Sequence, residues 1–225
     1  TQNCTDSLNQ VLLGLLKPGD RVIASTLDHN SVLRPLEWLR ESAGLEVSIV
    51  DFDPATGLIR LDEFETALRE RPTKLVVLTH ASNVTGRIQQ VHELIRLARQ
   101  HGALILLDAA QTVGHVPVHF QSLDIDFLAA AGHKGLLGPL GTGILVVRSG
   151  LESQLRPLRF GGTGSSSESL RQPDEMPARF ESGNLNLPGI AGLHAAVQWI
   201  ETQGLQNLHV RIDRAVKRLH DACGS

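Results

Sequence analysis

Six short apolar runs recur along the chain, RVIAST, LEVSIVDF, KLVVLTHAS, ALILLDAA, IDFLAAA and GTGILVVR, and amphipathic stretches separate most of them. A run that is apolar at nearly every position has both faces buried, which is the pattern of a parallel strand. Parallel neighbours cannot be joined by a tight turn, so the stretches between them are crossovers. Helices are expected near residues 5–16, 31–43, 61–70 and 89–101. The first stops at Lys17-Pro18-Gly19-Asp20, a breaker followed by a turn. The fold class that follows is α/β: a three-layer α/β/α sandwich around a mostly parallel mixed sheet. The mixed element is IDFLAAAGHKGLLGPLGTGILVVR, two strands joined by a Gly-rich loop, the second antiparallel to the first.

From Arg159 to Asn186 the texture changes to RFGGTGSSSESLRQPDEMPARFESGNLN, rich in Gly, Ser and charge. A loop of this length inside a compact chain is either functional or disordered. Two helices follow, PGIAGLHAAVQWIETQG and LQNLHVRIDRAVKRLHDAC, the first with a wide apolar face. The expected organisation is one large domain over residues 1–186, with the long loop at 159–186, and a helical extension over 187–225.

Composition narrows the function classes. A chain of 225 residues buries a substantial core. A net charge of −3 and a pI near 6.3 give no electrostatic reason to expect nucleic acid or a membrane, and the expected substrate is a small molecule. Cys4 and Cys223, near opposite ends, do not form a disulfide framework and suit a reducing cytoplasm. No apolar run approaches the roughly 20 residues of a membrane span. The one methionine is Met176, and the sequence reads as a piece of a longer protein.

Lys134 stands in AAGHKGLLGP, directly after the run DFLAA and between His133 and Gly135. An amine at the end of a buried strand is poorly placed for a surface charge and well placed for a Schiff base. The blander role is a solvated charge, and the weight against it comes from the residues around it. Asp108 closes ALILLD at the strand end that faces the ligand crevice of an open α/β sheet. There it can hold a pyridine nitrogen protonated, or simply cap a helix formed by AAQTVGH. Gln111, three residues on, is placed to reach a ring hydroxyl. Thr5 opens the helix TDSLNQVLLGLL, where free backbone N–H groups hold a phosphate or the side chain is a plain cap. His29, past RVIAST, can lie flat against a ring or merely face solvent. Asn83, past KLVVLT, is by default a turn residue. All of these fall at C-terminal strand ends or a helix start, so they share one rim.

The segments LDHNSV, THASNVTGRI, LLDAAQTVGHVPV, AAAGHKGLLGPLGTGIL, FGGTG and RFESGNLNLPGIAGL resemble, in order, the class V aminotransferase family of fold-type I pyridoxal phosphate (PLP) enzymes. Within it they are most similar to the cysteine desulfurase and selenocysteine lyase branch. The resemblance implies that Lys134 carries the cofactor, Asp108 pairs its pyridine nitrogen and His29 stacks on its ring. It further implies that Gln111 and Asn83 bond the ring hydroxyl side, and that Cys4, Thr5 and His133 surround the phosphate. Residues 1–186 are then the PLP-binding large domain of a homodimer, with Thr163 of GGTG reaching the neighbouring subunit's phosphate. A small C-terminal domain, with the sulfur-accepting cysteine and the arginine that clamps the substrate carboxylate, would lie outside the sequence.

Three positions depart from the family pattern. Ala131 replaces the serine of SGHK, Cys4 stands where a first threonine is common, and Asn184 replaces the threonine of RFESGT. The implied reaction converts L-cysteine or selenocysteine to alanine with transfer of sulfur or selenium, and a sulfur-acceptor protein is a typical partner. A class V aminotransferase or kynureninase-like β-lyase, and a non-catalytic PLP-binding or interaction module, are the competing readings. A nucleotide-binding α/β domain lacks its motifs, since neither G-x-G-x-x-G nor G-x-x-x-x-G-K-[ST] occurs where it would be needed.

Overall fold

A computed structural model describes residues 1–164 and 168–224. In chain order its elements are α1 (Cys4–Leu15), β1 (Arg21–Ser25), α2 (Asn30–Ala43), β2 (Glu46–Val50), β3 (Phe52–Asp53), β4 (Leu58–Ile59), α3 (Leu61–Glu70), β5 (Leu75–Thr79), α4 (Val91–Gln100), β6 (Leu104–Asp108), β7 (Phe127–Ala131), β8 (Gly143–Val147), α5 (Leu187–Gln203) and α6 (Leu205–Cys223).

Side chains of successive strand residues point to opposite faces, and the core divides accordingly. Ile23, Val76, Leu78, Ile105, Leu107, Leu128 and Ala130 pack on one face beneath α3 and α4, which contribute Phe64, Leu68, Leu94 and Ala98. Val22, Ala24, Leu75, Val77, Leu106, Phe127 and Ala129 pack on the other beneath α1 and α2, which contribute Leu8, Leu12, Val32 and Leu36. Each such fully buried leucine or phenylalanine stabilises the fold by roughly 1.5–3 kcal/mol relative to exposure. This is the three-layer α/β/α sandwich expected from the apolar runs.

The sheet order is β2-β1-β5-β6-β7-β8. Every neighbouring pair is parallel except β7 and β8, which run antiparallel with Ala131 opposite Gly143. The chain builds outward from β1 to one side and from β5 to the other, so the crevice between their C-terminal ends is the switch point where open α/β sheets take ligands. In register, Thr79 pairs with Asp108 and Asp108 with Ala129, so β5 and β6 end level and β7 runs two residues further along the same rim.

The strands are shorter than the apolar runs, and the surplus residues form that rim. The clearest difference is LEVSIVDF, where the sheet strand ends at Val50. Thr26 Oγ1 donates to Asp51 Oδ1 at 2.8 Å, and Phe52–Asp53 turns away to pair with Leu58–Ile59 in a separate hairpin. Two-residue strands are too short to show an apolar period, so the hairpin is invisible in the sequence.

Helix ends follow their local chemistry. Asn3 caps α1 by accepting the Asp6 N–H at 2.9 Å, and Gly44, at φ 65°, ends α2 in the left-handed conformation. The long segment after Phe160 carries no named helix or strand among the described residues before α5.

Candidate active site

The C-terminal ends of β1, β5, β6 and β7 and the start of α1 enclose a cleft of about 200 Å³. Its walls include Cys4, Thr5, His29, Asn83, Asp108, Gln111, His133 and Lys134, so all the candidate residues except Thr163 converge there. Thr163 lies in the long loop, half-buried, away from the lining of this single chain's cleft. A groove of about 820 Å³ runs elsewhere, past Leu13, Trp38, Leu158 and Phe160. It is larger, but it contains none of the strand-end residues, and the convergence of ionisable groups favours the smaller cleft.

Asp108 is buried at the floor. Its Oδ1 accepts the Ala110 N–H at 3.0 Å and lies 3.7 Å from the Cys4 Sγ, a weak donor. The Ala110 contact closes a local turn, so Asp108 caps no helix. These contacts occupy one oxygen and leave Oδ2 without a hydrogen bond among the described residues. Burial raises the proton affinity of Asp108, while the Ala110 N–H and the Lys134 charge act against it. Burial first, and then the Asp108 charge, push the Cys4 thiol far above its ordinary range, so Cys4 is a protonated donor and not a nucleophile.

Lys134 is half-buried across the cleft, and its ammonium makes no hydrogen bond or ion pair among the described residues. The loop that carries it is set by Gly132, whose N–H donates to Thr142 O at 3.0 Å, and by the Leu137 N–H donating to Lys134 O at 2.8 Å.

His29 is held by α2. Its Nδ1 accepts the Ser31 N–H at 3.1 Å and lies 2.8 Å from Ser31 Oγ, which places the proton of the neutral ring on Nε2. Ser31 Oγ is in turn 2.7 Å from Thr5 Oγ1, so the ring and the start of α1 share one hydrogen-bond chain. Asp6 in the first turn would repel an anion, but its carboxylate is paired with Arg159 and accepts the Gln2 N–H. The Cys4 and Thr5 end of α1 therefore keeps its positive character.

Asn3, Ser31 and Thr79 also line the cleft and were not singled out in the sequence. Asn3, three residues before Asp6, carries a visible capping signal. Ser31 and Thr79 carry none, because a serine in a helix turn or a threonine at a strand end has many ordinary uses.

The donor set fits pyridoxal phosphate. One end of the cleft presents a helix start with hydroxyls for an anion, the floor presents an open carboxylate oxygen for a protonated ring nitrogen, and an unpaired amine stands beside both. No described helix is long and apolar enough to cross a membrane.

Comparison with known proteins agrees with this geometry. Residues 1–224 match the family described as Aminotransferase class-V. A probable cysteine desulfurase from Methanothermobacter thermautotrophicus is 36% identical over 229 residues, covering 100% of this chain and 56% of that protein. The apo structure of a cysteine desulfurase from Thermococcus onnurineus NA1 superposes with a TM-score of 0.89 at 36% identity, covering 98% of this chain and 56% of that one. A mutant C-DES structure, with glycine covalently linked to its PLP cofactor, superposes with a TM-score of 0.80 at 26% identity, covering 93% and 57%. The chain thus spans about half the length of the relatives it matches. From one end to the other it is a member of the class V aminotransferase family.

Proposed function

We propose that this chain is the PLP-binding part of a cysteine desulfurase, an enzyme that converts L-cysteine to L-alanine and passes the sulfur to a protein thiol. The observation that carries the reading is the pairing of a buried Asp108, open at Oδ2, with an unpaired Lys134 amine across one cleft at the switch point of the sheet. The relatives' names support the choice of reaction.

In this reading Lys134 Nζ holds the cofactor, Asp108 Oδ2 accepts from its ring nitrogen, and His29 covers the ring. Gln111 and Asn83 face its hydroxyl edge, and Thr5 and His133 face the phosphate. Ala131 offers no hydroxyl there, so the start of α1 carries more of the anion's charge. When bound, the cofactor supplies an electron-withdrawing ring that stabilises negative charge at the substrate's α-carbon. Lys134 Nζ would be the base beside that carbon. Asp108 Oδ2 would accept the ring nitrogen's proton as a hydrogen bond, and the positive ring would oppose the burial that otherwise raises the proton affinity of Asp108.

Sulfur leaves by attack of a thiolate on the substrate sulfur. The carbon–sulfur bond breaks, a persulfide forms, and a proton completes alanine. Cys4 is too buried and too weakly acidic to be that thiolate, and Cys223 lies at the far end of α6. Neither cysteine of this chain is placed to be that thiolate, and the family resemblance assigns the accepting cysteine and the arginine for the substrate carboxylate to a small domain that this chain does not include. The same reading makes residues 1–186 the large domain, with 187–225 leading to a small domain. It makes the protein a cytoplasmic homodimer in which Thr163 serves the neighbouring site, and gives it a sulfur-acceptor protein partner.

The test is to add PLP, dialyse, and record the visible absorbance, with Lys134→Ala alongside. A retained band that borohydride fixes to the peptide containing Lys134, and alanine release from cysteine by the full-length enzyme, are the expected results. Amino transfer to a keto acid without sulfur release would replace the desulfurase by an aminotransferase. Full-length activity unaffected by Lys134→Ala would end the assignment of that lysine.

A further inference from the structure

Asp28 immediately precedes His29 in the turn after β1, and no step above uses it. Its side chain is 5% exposed, and it sits at the end of β1, where the strand order reverses. Oδ2 accepts the Ser25 N–H at 2.7 Å and the Ser25 Oγ–H at 2.8 Å. Oδ1 is buried and makes no hydrogen bond among the described residues.

This asymmetry fixes the form of the group. A backbone amide can only donate, so Oδ2 must be an acceptor, and a proton on the carboxyl belongs on Oδ1. An ionised carboxylate would leave a charged oxygen buried and bare, which costs more than burying a neutral one. Burial accordingly pushes Asp28 up to about 7; the two Ser25 hydrogen bonds oppose it, the Asp108 charge adds to it, and the Thr79 backbone opposes it least. Beyond its neighbour His29, β1 and β5 present Ser25 and Thr79, neither ionisable, and β6 presents Asp108, the one charge among the described residues that acts on it.

We propose that Asp28 is a positioning residue of the cofactor cleft: its carboxyl keeps its proton up to neutrality, where an ordinary aspartate is ionised, so that Asp108 is the carboxylate offered to the ring nitrogen. Two buried carboxyls at one switch point cannot both ionise cheaply, so the proton on Asp28 and the charge on Asp108 are linked. The link rests on the proposed function only in naming the ring nitrogen as the group that Asp108 meets.

The test begins with unloaded protein, carboxyl-labelled with 13C at aspartate, titrated by NMR. One resonance, absent in Asp28→Asn, titrates with a midpoint near 7 and moves down in Asp108→Asn, while burial keeps it above the ordinary carboxylate range. Ser25→Ala, which removes a hydrogen bond to the ionised form, moves it up and provides a second handle if Asp28→Asn does not fold. A midpoint already in the ordinary range, or one that ignores Asp108→Asn, overturns the proposal. In PLP-loaded protein, Asp28→Asn keeps the visible band but removes its pH dependence around neutrality; an identical pH profile in variant and parent overturns the positioning role. A parent protein that takes up no PLP overturns the proposed function and the positioning role with it, while the unloaded arms still decide the Asp28–Asp108 link.

Discussion

Gly114 packs so tightly against Gly135 that a β-carbon on it would stand 2.2 Å from the Gly135 carbonyl oxygen. Gly114 also sits at φ +88°, a conformation in which an L side chain is strained. The loop that follows Asp108 and the loop that carries Lys134 thus touch backbone to backbone. Gly114→Ala is expected to cost about 2–4 kcal/mol from overpacking and strain combined. It should also reduce retained PLP, as thermal melts and visible absorbance after dialysis will show.

Asp126 anchors the sheet just before β7. Its Oδ2 accepts the Ile105 N–H at 2.8 Å and pairs with Arg99 at 2.8 Å, while Arg148 Nε lies 2.9 Å from Oδ1. The carboxylate is 3% exposed, but both arginines are partly solvated, which reduces what the pairs contribute. Asp126→Asn should destabilise the protein by about 2–3 kcal/mol, below the full cost of breaking a buried pair. Chemical denaturation will measure the loss, and PLP affinity in the folded variant should stay close to that of the parent.

His80 is buried with its Nδ1 2.9 Å from Thr112 Oγ1, and burial lowers it to about 4, with His92 adding a smaller repulsion. The unfolded chain therefore takes up this proton first as pH falls. The stability that His80 contributes is complete above about 6.5 and is lost as pH drops through about 4. His80→Gln should flatten the acid limb of a melting-temperature profile over that window. An unchanged acid limb would show that His80 is not the group responsible.

Asp28 acts with the opposite sign. Raised to about 7 from 3.8, it favours the folded state at low pH, and that contribution is lost as pH rises from 3.8 through about 7. The full difference is on the order of 4 kcal/mol. Asp28→Asn should therefore gain stability relative to the parent as pH rises across this window, which paired melts will reveal.

Ser31 joins Thr5 to His29 through contacts of 2.7 and 2.8 Å. Ser31→Ala removes the hydroxyl but keeps the backbone N–H that orients the ring, so the loss should be about one hydrogen bond, roughly 0.5–1.5 kcal/mol. Fluorescence titration with PLP should show a several-fold weaker Kd with little change in melting temperature.

How much of this was legible in advance depended on the kind of signal. Asp108 and Lys134 each have an ordinary explanation alone, and they stand out because Thr5, His29 and Asn83 fall with them on the same rim of strand ends and a helix start. The layers were legible because runs such as LVVLT admit only burial on both faces. Asp28 was not, because in LDHNSV it reads as an ordinary turn aspartate; its unpartnered oxygen is a fact of packing around β1 and β5. The Asn3 cap was within reach, while Ser31 and the β3–β4 hairpin had no period or spacing to announce them. The role suggested for Thr163 concerns a neighbouring subunit, which one chain's spacing does not display.

The antiparallel strand β8 does more than finish the sheet. Thr1 and Gly143 exchange backbone hydrogen bonds, at 2.9 Å for the Gly143 N–H and 3.3 Å for the Thr1 amine, and Ser7 Oγ donates to Ile144 O at 3.0 Å. The start of α1 is stitched to the strand that leaves the lysine loop, so the cleft wall that carries Thr5 and the wall that carries Lys134 form a single frame. The two walls cannot part without breaking those bonds. A bound cofactor would come and go by releasing its contacts one at a time, and its residence time would follow the chemistry of those contacts rather than the swing of a hinge.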